Sequence, residues 1–181
     1  MAKGLGLFIV LFIYSAFSYA EYEQVSVQLG VAPFSGAYNI QFKALDKKSG
    51  WALVGAGYRQ ESLFTGYSDR ETGMEFDPTF NTLAVSKLWS APYAWGYADV
   101  GVGLGIGKGE WLDNCEDTEP GLLGSSRECD VHKGTRIGVP LQASAVFGKY
   151  VGIGVSLNVF IQKDKMHSQL LFIIPLGKFT K

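Results

Sequence analysis

The chain has 181 residues, with 16 Lys and Arg against 17 Asp and Glu, for a formal net charge of −1 at pH 7. That length suits one domain, and so even a balance of charge leaves no basic footprint, so no nucleic-acid partner is expected. Glycine is frequent at 23 residues and aromatics make up 14%, a pairing that suits curved sheet with rings at an interface better than a helical core.

Residues 1–20 read as a secretory signal. Lys3 supplies a positive start, Gly4 to Tyr14 an uncharged and mostly apolar stretch, and Ser18-Tyr19-Ala20 a small-x-small cleavage site before Glu21. An uncleaved anchor is disfavoured because Gly4 to Ala20 is only marginally long enough to span a bilayer. Glu21 rather than Cys follows the site, which disfavours lipid anchoring. Cleavage removes Lys3 and takes the formal charge to −2. After Ala20 no window of 18 residues is both apolar and uncharged, so any membrane crossing must use closed strands, whose backbone groups satisfy one another.

From Gln24 onward the pattern has period two, the signature of strands. Val25, Val27, Leu29 and Val31 alternate with Gln24, Ser26, Gln28 and Gly30. Later, Val151, Ile153, Val155, Leu157, Val159 and Ile161 alternate with Gly152, Gly154, Ser156, Asn158, Phe160 and Gln162. Eight strands are predicted, at 23–33, 37–45, 51–60, 76–89, 93–107, 135–147, 150–162 and 168–178. If the chain starts on the periplasmic side, three connections on that side are short: Asp46 to Gly50, Ser90 to Pro92, and Gly148-Lys149. The opposite side carries a charged stretch near 61–75 and a long one from Lys108 to Gly134. Short turns on one rim and long loops on the other are the asymmetry of outer-membrane barrels.

Aromatics fall at both expected rims: Trp51, Trp89, Tyr93, Trp95, Tyr150 and Phe179 on the periplasmic side, and Phe34, Tyr38, Phe64, Phe76 and Phe160 on the other. The alternation assigns an interior of Gln24, Ser26, Gln28, Asn39, Gln41, Lys43, Arg59, Glu61, Asp99, Arg136, Gln142, Ser144, Ser156, Asn158 and Gln162. Polar side chains inside with Val, Ile and Leu outside is the reverse of a soluble ligand-carrying barrel. Eight strands leave an interior that side chains can fill, so Lys43, Arg59, Asp99 and Arg136 are expected to pair as a polar network rather than line a pore. Gly101, Gly103, Gly105 and Gly107 share the inward face and leave open either a hollow or room for large neighbours.

In these respects the chain resembles the small eight-stranded outer-membrane β-barrels of OmpA/OmpX type, over residues 21–181. The resemblance rests on signal, strand count, loop asymmetry and a last strand, QLLFIIPLGKF from Gln169, with Phe179 near the chain end. It implies an all-β, eight-stranded antiparallel up-and-down transmembrane barrel, a monomer in contact with outer-membrane lipid and lipopolysaccharide, and an assembly signal for the barrel-insertion machinery. Pro175, Gly177 and the trailing Thr180-Lys181 depart from that signal. Fold alone does not confer function.

Cys115 and Cys129 enclose 13 residues in the longest loop of an exported chain, which favours a disulfide. In the chain-entropy model such a closure stabilises by about 3 kcal/mol. Segment 108–134 holds seven acids against three bases, a formal charge of −4. Its spacing matches no calcium loop, so no metal and no cofactor are expected. Lipid A acyl-modifying enzymes exist on such barrels, which makes His132, near Asp130, Ser125 and Ser126, and His167, beside Ser168, the catalytic candidates. Their surroundings, CDVHKG and KMHSQL, do not reproduce a deacylase pattern. The expected function is therefore non-enzymatic, exerted through extracellular loops in surface contact or envelope integrity. A lipid A acyl-modifying enzyme and a narrow channel are the alternatives.

Overall fold

The computed structural model describes residues 24–32, 36–46, 48–59, 65–71, 79–121, 124–163 and 165–177. The expected signal segment 1–20 and Phe34, Glu61, Phe64, Phe76 and Phe179 lie outside the described residues. Every regular element among them is a strand: β1 (Gln24–Val31), β2 (Tyr38–Asp46), β3 (Ser49–Arg59), β4 (Thr65–Asp69), β5 (Thr79–Tyr93), β6 (Gly96–Gly121), β7 (Gly124–Gly148), β8 (Gly152–Ile161) and β9 (Met166–Gly177).

Eight of the nine close into a barrel. Each pairs antiparallel with its neighbour, and β1 meets β9 with Gln28 opposite Pro175 and Val31 opposite Phe172, which removes both sheet edges. β4 stands outside the wall and pairs parallel with the far part of β7, Thr65 opposite Ser125 and Asp69 opposite Cys129. The turns Asp46–Ser49, Tyr93–Gly96 and Gly148–Gly152 define one rim, called here the turn rim. β6 and β7 rise far above the other.

The alternation read from sequence sorts the two faces. Along β8, Ile153, Val155, Leu157 and Ile161 are exposed, whereas Ser156, Asn158 and Phe160 are buried. The outer surface carries an apolar band that includes Leu29, Ile40, Phe42, Leu83, Val102, Leu104, Leu141 and Phe172. A water-exposed patch of that extent would be untenable for a soluble monomer. Inside, Gln28, Asn39, Gln41, Lys43, Asp99, Ser156 and Asn158 are buried. Apolar groups share the lumen: Tyr97 and Val146 meet Leu171 and Ile173, Leu45 and Val54 meet Leu88, and Tyr58, Phe80 and Phe160 pack together.

Three expectations are corrected. Segment 108–134 is not a loop but a ladder, from Gly109 opposite Gly134 to Gly121 opposite Gly124. Backbone pairing needs no apolar face once a hairpin leaves the membrane, so its charges concealed it. The turn expected at Ser90 to Pro92 lies instead at Ala94–Trp95, and Pro92 sits in β5 opposite Tyr97. β3 has already ended there, at Ser49 opposite Trp89, so no neighbour on that side asks for the missing N–H. Phe160, expected at an interface, points into the lumen, its ring 5.8 Å from that of Phe80; parity along the strand outweighs ring chemistry.

The inward glycines of β6 are covered by their neighbours rather than facing a hollow. A Cβ at 101 would reach Leu88 and Gln142, and one at 107 would overlap the Phe80 ring.

Candidate functional site

Between Asp113/Asp130 and Glu116/Glu128 the hairpin ladder shifts register. Asn114 and Cys115 there occupy the space opposite Cys129, a β-bulge. Asn114 takes φ 48°, a left-handed conformation that Asn tolerates best after Gly, and its Nδ2 donates to Asp130 Oδ2 at 2.9 Å. The bulge brings Cys115 beside Cys129, with Cα atoms 4.1 Å apart, and they are joined by a disulfide. Cys129 is fully buried, and its carbonyl accepts the N–H of Arg70 at 3.0 Å.

Arg70 follows β4 and ties that strand to the bulge. Its guanidinium donates to the Asn114 carbonyl at 3.0 Å and lies 3.4 Å from Glu116 and 3.6 Å from Asp130. One cation thus joins both strands of the hairpin to a third. Exposed pairs of this kind contribute little singly; here they act on a segment already pinned by a disulfide.

The hairpin base is held from the other side. Lys165, in the β8–β9 connection, donates to the Leu112 carbonyl at 3.0 Å and pairs with Asp113. The Lys165 hydrogen bond, reinforced by the charges of Lys165, His132 and Arg136, holds the Asp113 carboxyl below the usual range. His132 Nε2 lies 3.8 Å from Asp113 Oδ2, and the His132 ring is stacked 6.2 Å from Trp111, its cross-strand partner. On Trp111 also rests the Arg136 guanidinium, 4.2 Å from the ring centroid, the distance of a cation–π contact. Trp111, Arg136 and Asp113 all lie on the hairpin face that continues the barrel interior, so this group crowns the mouth.

The catalytic candidates do not assemble into a triad. His132 lies 3.8 Å from Asp113, beyond hydrogen-bond reach, and Ser126 is six residues along an extended strand from His132, about 20 Å, with Ser125 farther. Ser168 is exposed while its neighbour His167 is turned toward the lumen, since adjacent strand residues face opposite ways. The His167 ring instead stacks flat on Phe80, centroids 4.4 Å apart at 8°. Among the described residues no group of three or more His, Cys, Asp or Glu could hold a metal.

Of the four charges expected to form one interior network, the structure brings two together. Lys43 Nζ donates to Asp99 Oδ2 at 2.6 Å, Ser144 Oγ donates to Asp99 Oδ1 at 2.7 Å, and both charged side chains are 1% exposed. Lys43 also lies 5.7 Å from the Tyr97 ring centroid. Arg136 stands eight residues up β7 from Ser144, roughly 26 Å along the strand, and does not join them. Arg59 belongs to β3; its side chain is outside the described residues. Arg70, Lys165 and Trp111 were not anticipated. Arg70 had a signal, the one base among four acids in the stretch 61–75, but nothing in the sequence pairs it with Asn114.

No family model and no curated protein matches the sequence. Among solved structures the chain is similar to the N-terminal β-barrel domain of Pseudomonas aeruginosa OprF, with a TM-score of 0.51 and 9% identity over 86% of this chain and 98% of that one. It is also similar to Ail, the attachment invasion locus protein of Yersinia pestis, solved with the heparin analogue sucrose octasulfate, with a TM-score of 0.47 and 10% identity over 86% of this chain and 94% of that one. At such identities the likeness is one of fold: the chain has the architecture of a small outer-membrane barrel.

Proposed function

We propose that this chain is an integral, monomeric protein of a bacterial outer membrane, exported with residues 1–20 as a cleaved signal, that acts without catalysis through its β6–β7 hairpin in surface contact or envelope integrity. The observation that carries this is the clamped hairpin. Twelve residues of β6 beyond Gly109 would reach about 40 Å if straight, and they are fixed by the Cys115–Cys129 bridge, by Arg70 and by Lys165. Binding costs less when a protruding segment is ordered beforehand, and a rigid scaffold presenting such a segment is where recognition usually resides.

In this reading the turn rim and both strand ends Gln24 and Gly177 face the periplasm, and the hairpin faces outward. The apolar band contacts outer-membrane lipid and lipopolysaccharide, and the barrel-insertion machinery engages the last strand. Replacing 112–131 by a short Gly-Ser turn should leave the barrel folded and abolish surface activity in an adhesion or envelope-permeability assay. A deletion variant that folds and keeps full activity would refute the assignment. The competing lipid A acyl-modifying reading is separated by His132→Ala and His167→Ala: lipid A mass spectra that change on either replacement would favour it.

A further inference from the structure

Lys87 is out of place for the surface it occupies. On the outward face of β5 the positions from Leu83 to Tyr93 are Leu83, Val85, Lys87, Trp89, Ala91 and Tyr93, so a lone cation interrupts an otherwise apolar or small lipid-facing row. Trp51 is its direct cross-strand partner on β3, and Lys87 Nζ lies 5.2 Å from the Trp51 ring centroid. Trp51 beside it and Trp89, two residues nearer the turn rim, are 49% and 48% exposed. Lys48 stands in the adjoining turn, where its carbonyl accepts the Ser90 N–H at 2.8 Å. Among the described residues no carboxylate pairs with Lys87.

An ammonium on a membrane-facing wall must be compensated. Its four-carbon stem can lie along the wall while the head reaches toward the headgroup level, where Trp rings also settle. The Trp51 ring faces one side of the ammonium, and a lysine has three donors, so donors remain for an acceptor arriving from the bilayer. We propose that Lys87, Trp51 and Trp89 form a binding site for the phosphate of an anionic glycerophospholipid. A zwitterionic choline headgroup brings its own cation beside the phosphate and repels Lys87; a glycerol headgroup does not. The site thus discriminates by headgroup charge. Tyr150 at the same rim has Lys149 5.7 Å from its ring, but Lys149 belongs to the turn itself rather than to the lipid-facing row.

This inference rests on reading the apolar band as the lipid-facing surface, and the test separates the two. The full barrel is reconstituted in phosphatidylcholine vesicles doped with increasing mole fractions of either brominated phosphatidylglycerol or brominated phosphatidylcholine, and quenching of tryptophan fluorescence is recorded. One basic residue near a membrane surface corresponds to about a fivefold preference for anionic lipid, so half-quenching should need about fivefold less of the brominated phosphatidylglycerol. Lys87→Gln should erase that preference, Lys87→Arg should keep it, and Lys108→Gln, on the outward face near the opposite rim, should leave it intact. Equal quenching by both lipids in the unsubstituted protein, or a preference that survives Lys87→Gln, overturns the site while leaving the membrane-facing band standing. Absence of quenching by either lipid overturns the band and the site with it.

Discussion

Removing Asp99 from its pair with Lys43 should unfold the barrel at markedly lower denaturant. In Asp99→Asn the carboxylate that receives Lys43 Nζ at 2.6 Å and the Ser144 hydroxyl at 2.7 Å becomes a neutral amide. The remaining neighbours of the ammonium are Ser144 Oγ at 3.5 Å and the Tyr97 ring at 5.7 Å, neither of which supplies a compensating charge. With both side chains 1% exposed, an uncompensated buried charge costs about 3–5 kcal/mol. Replacing both partners, as in Lys43→Met with Asp99→Leu, removes the desolvation penalty too and should return most of that loss. Urea unfolding in detergent micelles, followed by tryptophan fluorescence and by the mobility difference between unboiled and boiled protein on denaturing gels, measures each variant. An Asp99→Asn variant less than about 1 kcal/mol below the parent, or a double variant as unstable as the single one, would refute the account of the pair as a buried, mutually dependent unit.

Leu157→Arg, halfway along the exposed face of β8, should cost about 2–4 kcal/mol of folding in lipid, whereas Thr135→Arg, on the exposed face at the hairpin base, should cost no more than about 1 kcal/mol; equal costs by reversible unfolding in vesicles would move the band. Converting Cys115 and Cys129 to Ser should loosen the hairpin by about 3 kcal/mol while amide exchange in β1, β2 and β3 stays unchanged, and slowed exchange in the hairpin would contradict the clamp. Because the Asp113 carboxyl is held below its ordinary range chiefly by Lys165, its contribution is fully present above the unfolded carboxylate value and is lost as pH falls through the lowered one. Protection of the Leu112 and Asp113 amides, taken relative to their intrinsic exchange rates, should therefore persist through the ordinary carboxylate range and fall only below it, and Lys165→Met should remove that pH dependence.

The wall was legible because lipid on one side and a filled lumen on the other enforce parity along every strand; Ser26, Gln28, Gln41 and Asn158 could be placed inside from alternation alone. Parity fails where neither constraint acts. Above Lys108 the hairpin rises past the other strands of the wall, so Glu110, Glu116 and Glu128 carry no register signal and the strand read as a loop. β4 was missed for a related reason: five residues, TGYSD, in a polar stretch, whose pairing with β7 is decided by tertiary contact at the bulge rather than by local propensity. The pairing of Lys43 with Asp99 rather than with Arg59 or Arg136 depends on how far up the barrel each side chain sits, and that height is set by strand register. Lys43 faces Ala52, Ala52 faces Ser86, Ser86 faces Gly103 and Asp99 faces Ser144, a chain of offsets that alternation does not encode.

The bare faces of Gly101 and Gly107 tie positions on different strands into couples. Leu88 and Phe80, both almost wholly buried, already occupy the space a methyl group would need at those glycines. A side chain gained at 107 is therefore admissible only together with a smaller one at 80, and one gained at 101 only with trimming at 88 or 142. Drift in this lumen proceeds by paired exchange that conserves volume. Descendants of this sequence should show 80 with 107, and 88 with 101, changing in concert, while the lipid-facing residues beside them vary singly.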